Sequence, residues 1–464
     1  MSPPGTSRPR STRFRARWEP LSAPEGLDRE LSRLLREAQR TERVPSVTAR
    51  VVRAGEEIWA DAVGLARVGA DEAATVDTQY RIGSITKTFT AAAIMVLRDE
   101  GALGLDDELR VHLPESAHGA PTIRRLLAHS SGMQRELPGD SWETLEFESM
   151  QELLGHLEDV EQVLAAGRHF HYSNLAFALL GEVLARRSGI PYERFVEERF
   201  LDPLGLRRTT WRAEEPASAG YMTEPYSDVV RDQPDLQLSA DVAAGQLWST
   251  TGDLCRWGTF LADPDPSILR PETAEEMRSV QVMVDQDHWT EAYGLGISLD
   301  RRGERVFAGH AGGMPGHVSR LAFLPRERIA DAVLANGDMS VDALALRLAE
   351  TVADALPPDL EEWRPEAAVP EELVGVLGRW WSEGQDTILS YRGGRLEARD
   401  ARAPEQEPSV FEPAGSSLFK TVSGPERGEI LELVRDEAGT VVKLVWAAYP
   451  FDPEARLAKS DNPG

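Results

Sequence analysis

Residues 81–87 read Arg81-Ile82-Gly83-Ser84-Ile85-Thr86-Lys87, and Phe89, Ala92, Ala93, Met95 and Leu97 follow at helical spacing until Gly101. The pattern predicts a helix over 84–98. Residues three apart share one face of a helix, so the amine of Lys87 reaches the hydroxyl of Ser84. A serine at a helix start also has free backbone N–H groups beside it, which suit a developing oxyanion. The chain holds only four lysines, Lys87, Lys420, Lys443 and Lys459, and uses arginine for almost every other basic position. A guanidinium keeps its proton in proteins, whereas a desolvated ammonium can lose it. A lysine that arginine does not replace, set beside a serine, points to a base that activates a nucleophile for attack on an acyl group. Ser417 and Lys420 share the spacing, but their segment alternates like a strand, where residues three apart face opposite ways.

Two further clusters bear on this chemistry. Tyr172-Ser173-Asn174 follows a turn at Gly167 and precedes an apolar helix over 175–185. Tyr172 and Asn174 can both face a cleft from such a junction; alternatively Ser173 or Asn174 simply caps the helix. Gly309-His310-Ala311-Gly312-Gly313 ends a predicted strand. Its glycines allow close backbone approach to a ligand, and an exposed N–H there can bond a carbonyl oxygen. The alternative is a glycine-rich turn with a solvated histidine.

Around these motifs the patterning predicts a helix over 27–39, a hairpin of 46–52 and 57–63 about Gly55, and helices and long loops over 115–285. Strands follow over 293–299, 305–309, 318–324 and 329–335, then a helix over 341–355. Strands and terminal helices flanking a helical insertion describe an α+β sandwich with an antiparallel sheet and an inserted helical subdomain. Residues 1–26 read as a tail, 27–355 as the main domain and 356–370, with four prolines, as a linker. Over 371–457 short strands at 374–381, 387–391, 395–398, 417–422, 430–435 and 441–446 suggest a small barrel.

With 464 residues, 41% of them hydrophobic, the chain can build sizeable cores. Its formal charge of −26 makes nucleic acid and anionic membranes poor partners. A single cysteine, Cys255, excludes an internal disulfide and reads as a buried thiol on a helix over 253–261. The arginines of 8–17 lead into no apolar run, so neither a secretory signal nor a membrane span is expected, and a cytoplasmic location is. His169-Phe170-His171 lacks the companions of a zinc site, and no nucleotide-binding glycine pattern occurs; no metal or cofactor is expected. Trp142, Trp248 and Trp289 either line an apolar acyl pocket or pack in the core.

Ser-x-x-Lys, Tyr-x-Asn and His-x-Gly in this order resemble the penicillin-recognising serine hydrolases, and most of all the class C β-lactamase-like branch of esterases, D-amino-acid amidases and peptidases. Leu126-Leu127-Ala128-His129-Ser130-Ser131-Gly132, Gly245-Gln246-Leu247-Trp248-Ser249-Thr250 and Tyr293-Gly294-Leu295-Gly296 extend the likeness, over roughly 28–355. The resemblance implies a β-lactamase/transpeptidase-like fold. It makes Ser84 the nucleophile, with Lys87 and Tyr172 sharing its proton, His310 a further catalytic residue, and the N–H groups of Ser84 and Gly313 the oxyanion hole. Asn174 is implied to bond the substrate amide or Lys87, beside substrate contacts at Ala311, Gly312 and Trp248. His310 and Ala311 stand where β-lactamases carry the lysine and threonine that hold a drug carboxylate, so β-lactam hydrolysis is expected to be inefficient. The implied activity is acyl transfer from an ester or peptide-like amide. An alternative is a penicillin-binding-protein-type thioesterase that cyclises or releases nonribosomal peptides, with a peptide carrier protein as partner. A catalytically silent binding protein on the same fold is the alternative of another kind. The C-terminal segment resembles a lipocalin-like barrel, chiefly through Leu377-Gly378-Arg379-Trp380-Trp381.

Overall fold

Leu27, Leu31, Leu34 and Leu35 make one buried stripe along helix α1 (Leu27–Glu42). Strands β1 (Ser46–Arg53) and β2 (Glu56–Arg67) form the expected hairpin. Its turn has positive φ at both Ala54 and Gly55, the backbone that matches strand twist. Then come the short strand β3 (Tyr80–Arg81), helices α2 (Thr86–Asp99) and α3 (Asn174–Ser188), the short strand β4 (Trp248–Ser249) and helix α4 (Thr251–Ala262). Strands β5 (Glu291–Tyr293), β6 (Ser298–Arg302), β7 (Arg305–Met314), β8 (His317–Leu324) and β9 (Ile329–Ala335) lead to helix α5 (Val341–Ala355). This computed structural model describes residues 24–116, 121–357, 363–365 and 368–454, and the chain divides into two units, Met1–Asp359 and Leu360–Gly464. The expected tail, apart from 24–26, and the middle of the expected linker lie outside the described residues.

In the first unit one antiparallel sheet runs β2–β1–β9–β8–β7–β6–β5, with two-residue strands Glu72–Ala73 and Val282–Met283 at its edges. Successive side chains of a strand point to opposite faces, and β9 shows both faces buried. Ile329, Val333 and Ala335 pack in the core that holds the apolar stripes of α1 and α5, whereas Ala330, Ala332 and Leu334 join the core of α2, α3 and α4. The result is a β-lactamase/transpeptidase-like sandwich, helices on both faces of the sheet.

Several boundaries differ from the sequence reading, among them that of the strand over 305–309, which runs on to Met314 and takes in 310–313. The run 293–299 is not one strand. Gly296 has φ +70° and lies so close to α2 that a Cβ there would stand 2.2 Å from the Ala91 methyl. With the Gly294 N–H donating to the Ile297 carbonyl (2.8 Å), the segment folds into a turn between β5 and β6. The helix predicted from Ser84 begins instead at Thr86, preceded by a 3₁₀ turn over Gly83–Ile85.

The second unit is a nearly closed barrel of eight antiparallel strands among its described residues, each paired with the next: Gly378–Ser382, Gln385–Arg392, Arg395–Asp400, Ser409–Pro413, Leu418–Ser423, Ile430–Arg435, Val441–Trp446 and Tyr449–Phe451. Trp381 and Asp452 exchange N–H···O bonds of 2.8 and 2.9 Å, bringing the last strand back to the first. Ser409–Pro413 and Tyr449–Phe451 escaped the sequence reading because a proline and few alternating apolar residues hide them. The first strand starts at Gly378, since 371–373 is a 3₁₀ turn. Phe419 and Thr421 point inward while Lys420 is exposed, so the Ser417/Lys420 spacing makes no site.

No helix among the described residues is long and apolar enough to cross a membrane. Each unit closes a core of its own residues. Residues 24–357 expressed alone are therefore expected to melt in a single cooperative transition and to keep turnover of small aryl esters. A broad, probe-dependent melt would show that the first unit does not fold by itself.

Candidate active site

The segment bearing Ser84 is clamped between two short pieces of sheet. Tyr80 and Arg81 pair with Ser249 and Trp248, and the Ile82 N–H donates to Leu247 O (2.9 Å). From the other side, Ser319 Oγ donates to Ile82 O (2.8 Å). Strand β7 approaches so closely that a Cβ on Gly312 would stand 2.0 Å from Ile82 O, and one on Gly83 would stand 2.8 Å from Gly313 N. Gly83 also has φ +48°. Only glycine fits these two positions, and their contact brings the backbone of Gly313 against Gly83, next to Ser84.

Lys87, one turn along, is 0% exposed. Its Nζ lies 3.0 Å from Ser84 Oγ, 2.7 Å from Asn174 Oδ1 and 2.7 Å from Ala244 O. Two of these partners are acceptors only. An ammonium donates to all three; a neutral amine donates to Asn174 and Ala244 and turns its lone pair to the Ser84 hydroxyl. Burial pushes the Lys87 ammonium towards that neutral form, opposed by the negative charges of Asp241 and Glu136. Burial also holds the Tyr172 phenol protonated, although its bond with Ser84 works the other way. Of the two groups facing the serine, Lys87 is thus the one suited to accept its proton.

Asn174 reaches Lys87 because Ser173 takes the cap of α3, its Oγ accepting from Ala176 N–H (3.0 Å). The Asn174 Nδ2 donates to both oxygens of Glu136 (3.0 and 2.9 Å). His129 positions Tyr172 from behind: its Nδ1 accepts from Ser173 N–H (3.1 Å) and its ring centre lies 4.1 Å from that of the tyrosine.

His310 and Ala311 border a cavity of about 590 Å³ together with Tyr172, Phe170 and Tyr293. The His310 Nδ1–H donates to Ala311 O, so Nε2 accepts from Tyr293 Oη (2.8 Å). Both ring nitrogens are occupied, and burial, aided by the charge of Lys87, lowers its pKa to about 3. It is a neutral side chain with both nitrogens engaged, which sets it apart from the catalytic role expected of it. Trp248 stands apart from the cleft. Its buried indole packs edge-on against His317 with Arg81 over its ring, so the expected substrate contact is replaced by core packing. Trp289, 65% exposed, lines none of the cleft, and Cys255 is a buried thiol whose pKa burial raises.

Ser84, Lys87, Tyr172, Asn174, Ala311, Gly312 and Gly313 are thus brought to one cleft. Glu136, Asp241, His129 and Tyr293 belong to it as well and were missed as individual residues. His129 and Tyr293 lie inside the family-like stretches, which was a usable signal. Glu136 and Asp241 are two of 77 acidic residues and carry no local signature. Among the described residues no group of three or more His, Cys, Asp or Glu could hold a metal ion.

Residues 31–354 match the family model described as Beta-lactamase, and residues 369–452 match one described as a domain of unknown function, DUF7586. The chain is 28% identical over 314 residues to Beta-lactamase-like protein 2 of Dictyostelium discoideum, covering 64% of this chain and 57% of that protein. It therefore spans little more than half the length of that relative. It is 28% identical over 295 residues to the D-alanyl-D-alanine-carboxypeptidase/endopeptidase AmpH of Escherichia coli K12, covering 58% of this chain and 74% of that one. Among solved structures, a D-stereospecific amidohydrolase from Streptomyces sp. superimposes with a TM-score of 0.59 at 28% identity, over 71% of this chain and 98% of that one.

Two tests follow from the amine. Lys87→Arg keeps the charge but cannot offer a lone pair, and turnover of an aryl ester is expected to fall by about 10²–10⁴. Lys443→Arg, on a barrel strand of the second unit, is the control and should leave the rate unchanged. Near-normal turnover by folded Lys87→Arg would remove the lysine from the chemistry. Because the base works deprotonated, kcat/KM should fall as pH drops through the Lys87 pKa, at a midpoint well below the ordinary lysine value of about 10.4. Glu136→Gln removes a carboxylate that favours the ammonium, so the acid limb should move to lower pH. A shift to higher pH, or none, would contradict the assignment.

Proposed function

The chain belongs to the beta-lactamase family, and from that premise we propose that it is a serine hydrolase acting through an acyl-enzyme at Ser84 on esters and on peptide-like amides, D-configured ones included. The observation that carries this reading is the bonding of Lys87, whose two acceptor-only partners leave one position on its nitrogen, facing Ser84 Oγ at 3.0 Å.

In the proposed sequence, neutral Lys87 takes the Ser84 proton as Oγ forms a bond to the acyl carbon. The carbonyl oxygen gains the negative charge beside the N–H groups of Ser84 and Gly313, where fixed donors lower the barrier most. On collapse the bond to the leaving nitrogen or oxygen breaks, and that atom takes a proton from Tyr172, which Lys87 replenishes. Water then attacks the acyl-enzyme by the reverse proton path and restores the serine. His310 has no part in the proton transfers, because both its nitrogens are engaged.

Support for amides of D-configured residues comes from two similar proteins, one named as a D-alanyl-D-alanine carboxypeptidase/endopeptidase and one as a D-stereospecific amidohydrolase. The uncharged His310 and the methyl group of Ala311 offer little grip on the carboxylate of a β-lactam.

A fluorophosphonate probe or a slow acyl donor should add its mass to the peptide containing Ser84, and a chromogenic cephalosporin should be hydrolysed at least tenfold less efficiently than an aryl ester. Labelling elsewhere, or no covalent adduct with a substrate that turns over, would overturn the acyl-enzyme. Equal efficiency on both substrates would overturn the exclusion of β-lactams.

A further inference from the structure

Tyr293 ends β5 with its phenol inside the cleft, where its hydroxyl meets His310. We propose that Tyr293 is a specificity-determining residue acting through His310: its hydroxyl holds the imidazole as an uncharged acceptor, so that the leaving-group side of the cleft takes neutral groups and turns carboxylates away. This rests on the acyl-enzyme reading above.

The first support is the set of contacts that fixes the phenol. Tyr293 is 3% exposed, and its backbone pairs with Val282 on one side and Ser298 on the other. Its ring lies 4.9 Å from that of His129 and 5.5 Å from that of Phe170, and stands at 87° to the His310 imidazole. Phe170 offers no acceptor. His129 offers none either: its buried ring is neutral, its Nδ1 accepts the Ser173 N–H, and its Nε2 carries the proton. Among the described residues the Tyr293 hydroxyl has one hydrogen-bond partner, His310 Nε2 at 2.8 Å.

The second support is the proton count. His310 spends its Nδ1–H on Ala311 O, so the lone pair of Nε2 receives the phenol proton. A proton arriving at Nε2 would remove that acceptor and strand a buried O–H, which is costly. The groups around the imidazole push the same way. The charges that act most on it, Lys87 on α2 and Arg320 on β8, are both positive, and the neighbouring Tyr172 phenol and His129 ring are uncharged.

The third support is place. Tyr172, which hands a proton to the leaving atom in the sequence above, lines the cavity of about 590 Å³ together with Tyr293, His310 and Ala311. The leaving group therefore enters beside the imidazole. A carboxylate on it needs a donor, and finds instead a lone pair already bonded to a phenol and the methyl group of Ala311.

The test compares kcat/KM for meta-carboxyphenyl acetate and its neutral isostere, meta-carbamoylphenyl acetate, in the wild type and in Tyr293→Phe, which keeps the ring and removes the hydroxyl. In the wild type the ratio of anionic to neutral substrate is expected to stay low and level across pH. In Tyr293→Phe it should rise by about tenfold from about pH 8 to about pH 5.5, as the freed Nε2 takes a proton and becomes a donor to the carboxylate. Tyr293→Phe/His310→Gln should be level again. A ratio cancels the protonation of Lys87, which slows both esters alike. A level ratio in Tyr293→Phe, or an equal rise in the double variant, would overturn the proposal. So would an imidazolium at His310 in histidine-selective NMR spectra of the wild type near neutral pH, its signal being the one lost in His310→Gln; this arm stands even where Tyr293→Phe does not fold. Fluorophosphonate labelling separates the failures: Ser84 labelled with a level ratio sinks the role of Tyr293 alone, whereas no labelling of the wild type sinks the acyl-enzyme beneath it.

Discussion

An amine with no access to water governs this site. Burying an ammonium is costly unless acceptors and opposite charges surround it, and losing its proton is one way to relieve that cost. Lys87 is held between these limits. Asn174 and Ala244 satisfy two donors, Glu136 and Asp241 favour the charged form, and burial outweighs them. The three partners come from the 3₁₀ turn before α2, from the first residue of α3 and from the short helix Val242–Gly245. One nitrogen therefore ties together segments separated by 87 and 157 positions. The helical insertion is thus part of the base as well as a wall of the cleft.

The oxyanion side obeys a different constraint, namely backbone contact. Two N–H donors from separate segments must stand within about 3 Å of one reacting oxygen, which leaves no room for side chains between the segments. Gly83 and Gly312 provide that room, and the bond from Ser319 to Ile82 fixes the separation. This explains why the serine sits on a 3₁₀ turn just before α2. The clamp on Ile82 sets the local backbone, and the regular helix starts once the chain has left it.

Those two constraints also explain what was legible in the sequence. The lysine-poor composition exposed Lys87, because arginine cannot serve where a lone pair is needed. The apolar runs of β1, β8 and β9 were plain, because strands covered by helices on both faces bury nearly every residue. The β5–β6 turn was not, since its cause is the surface of α2 pressing on Gly296, a contact between residues 205 positions apart. Glu136 and Asp241 were invisible for a similar reason: a carboxylate acquires its role only when folding removes its water. Trp248 was misplaced because an aromatic residue inside a family-like stretch reads the same whether it lines a pocket or packs behind one.

The same physics makes the two sides of the cleft unequal. Beside β7, His310 is neutral and fully hydrogen-bonded, so this strand adds no charge next to the serine. Beyond Asn174, Glu136 keeps its carboxylate bonded to Asn174, Arg135 and Trp142, all donors, while Asp241 is left with one oxygen unserved. Charge that is desolvated acts more strongly than charge in water. A lysine pressed towards its neutral form and an Asp241 carboxyl whose pKa burial raises to about 7 are then two results of one arrangement: burial withholds full charge from the centre of the site.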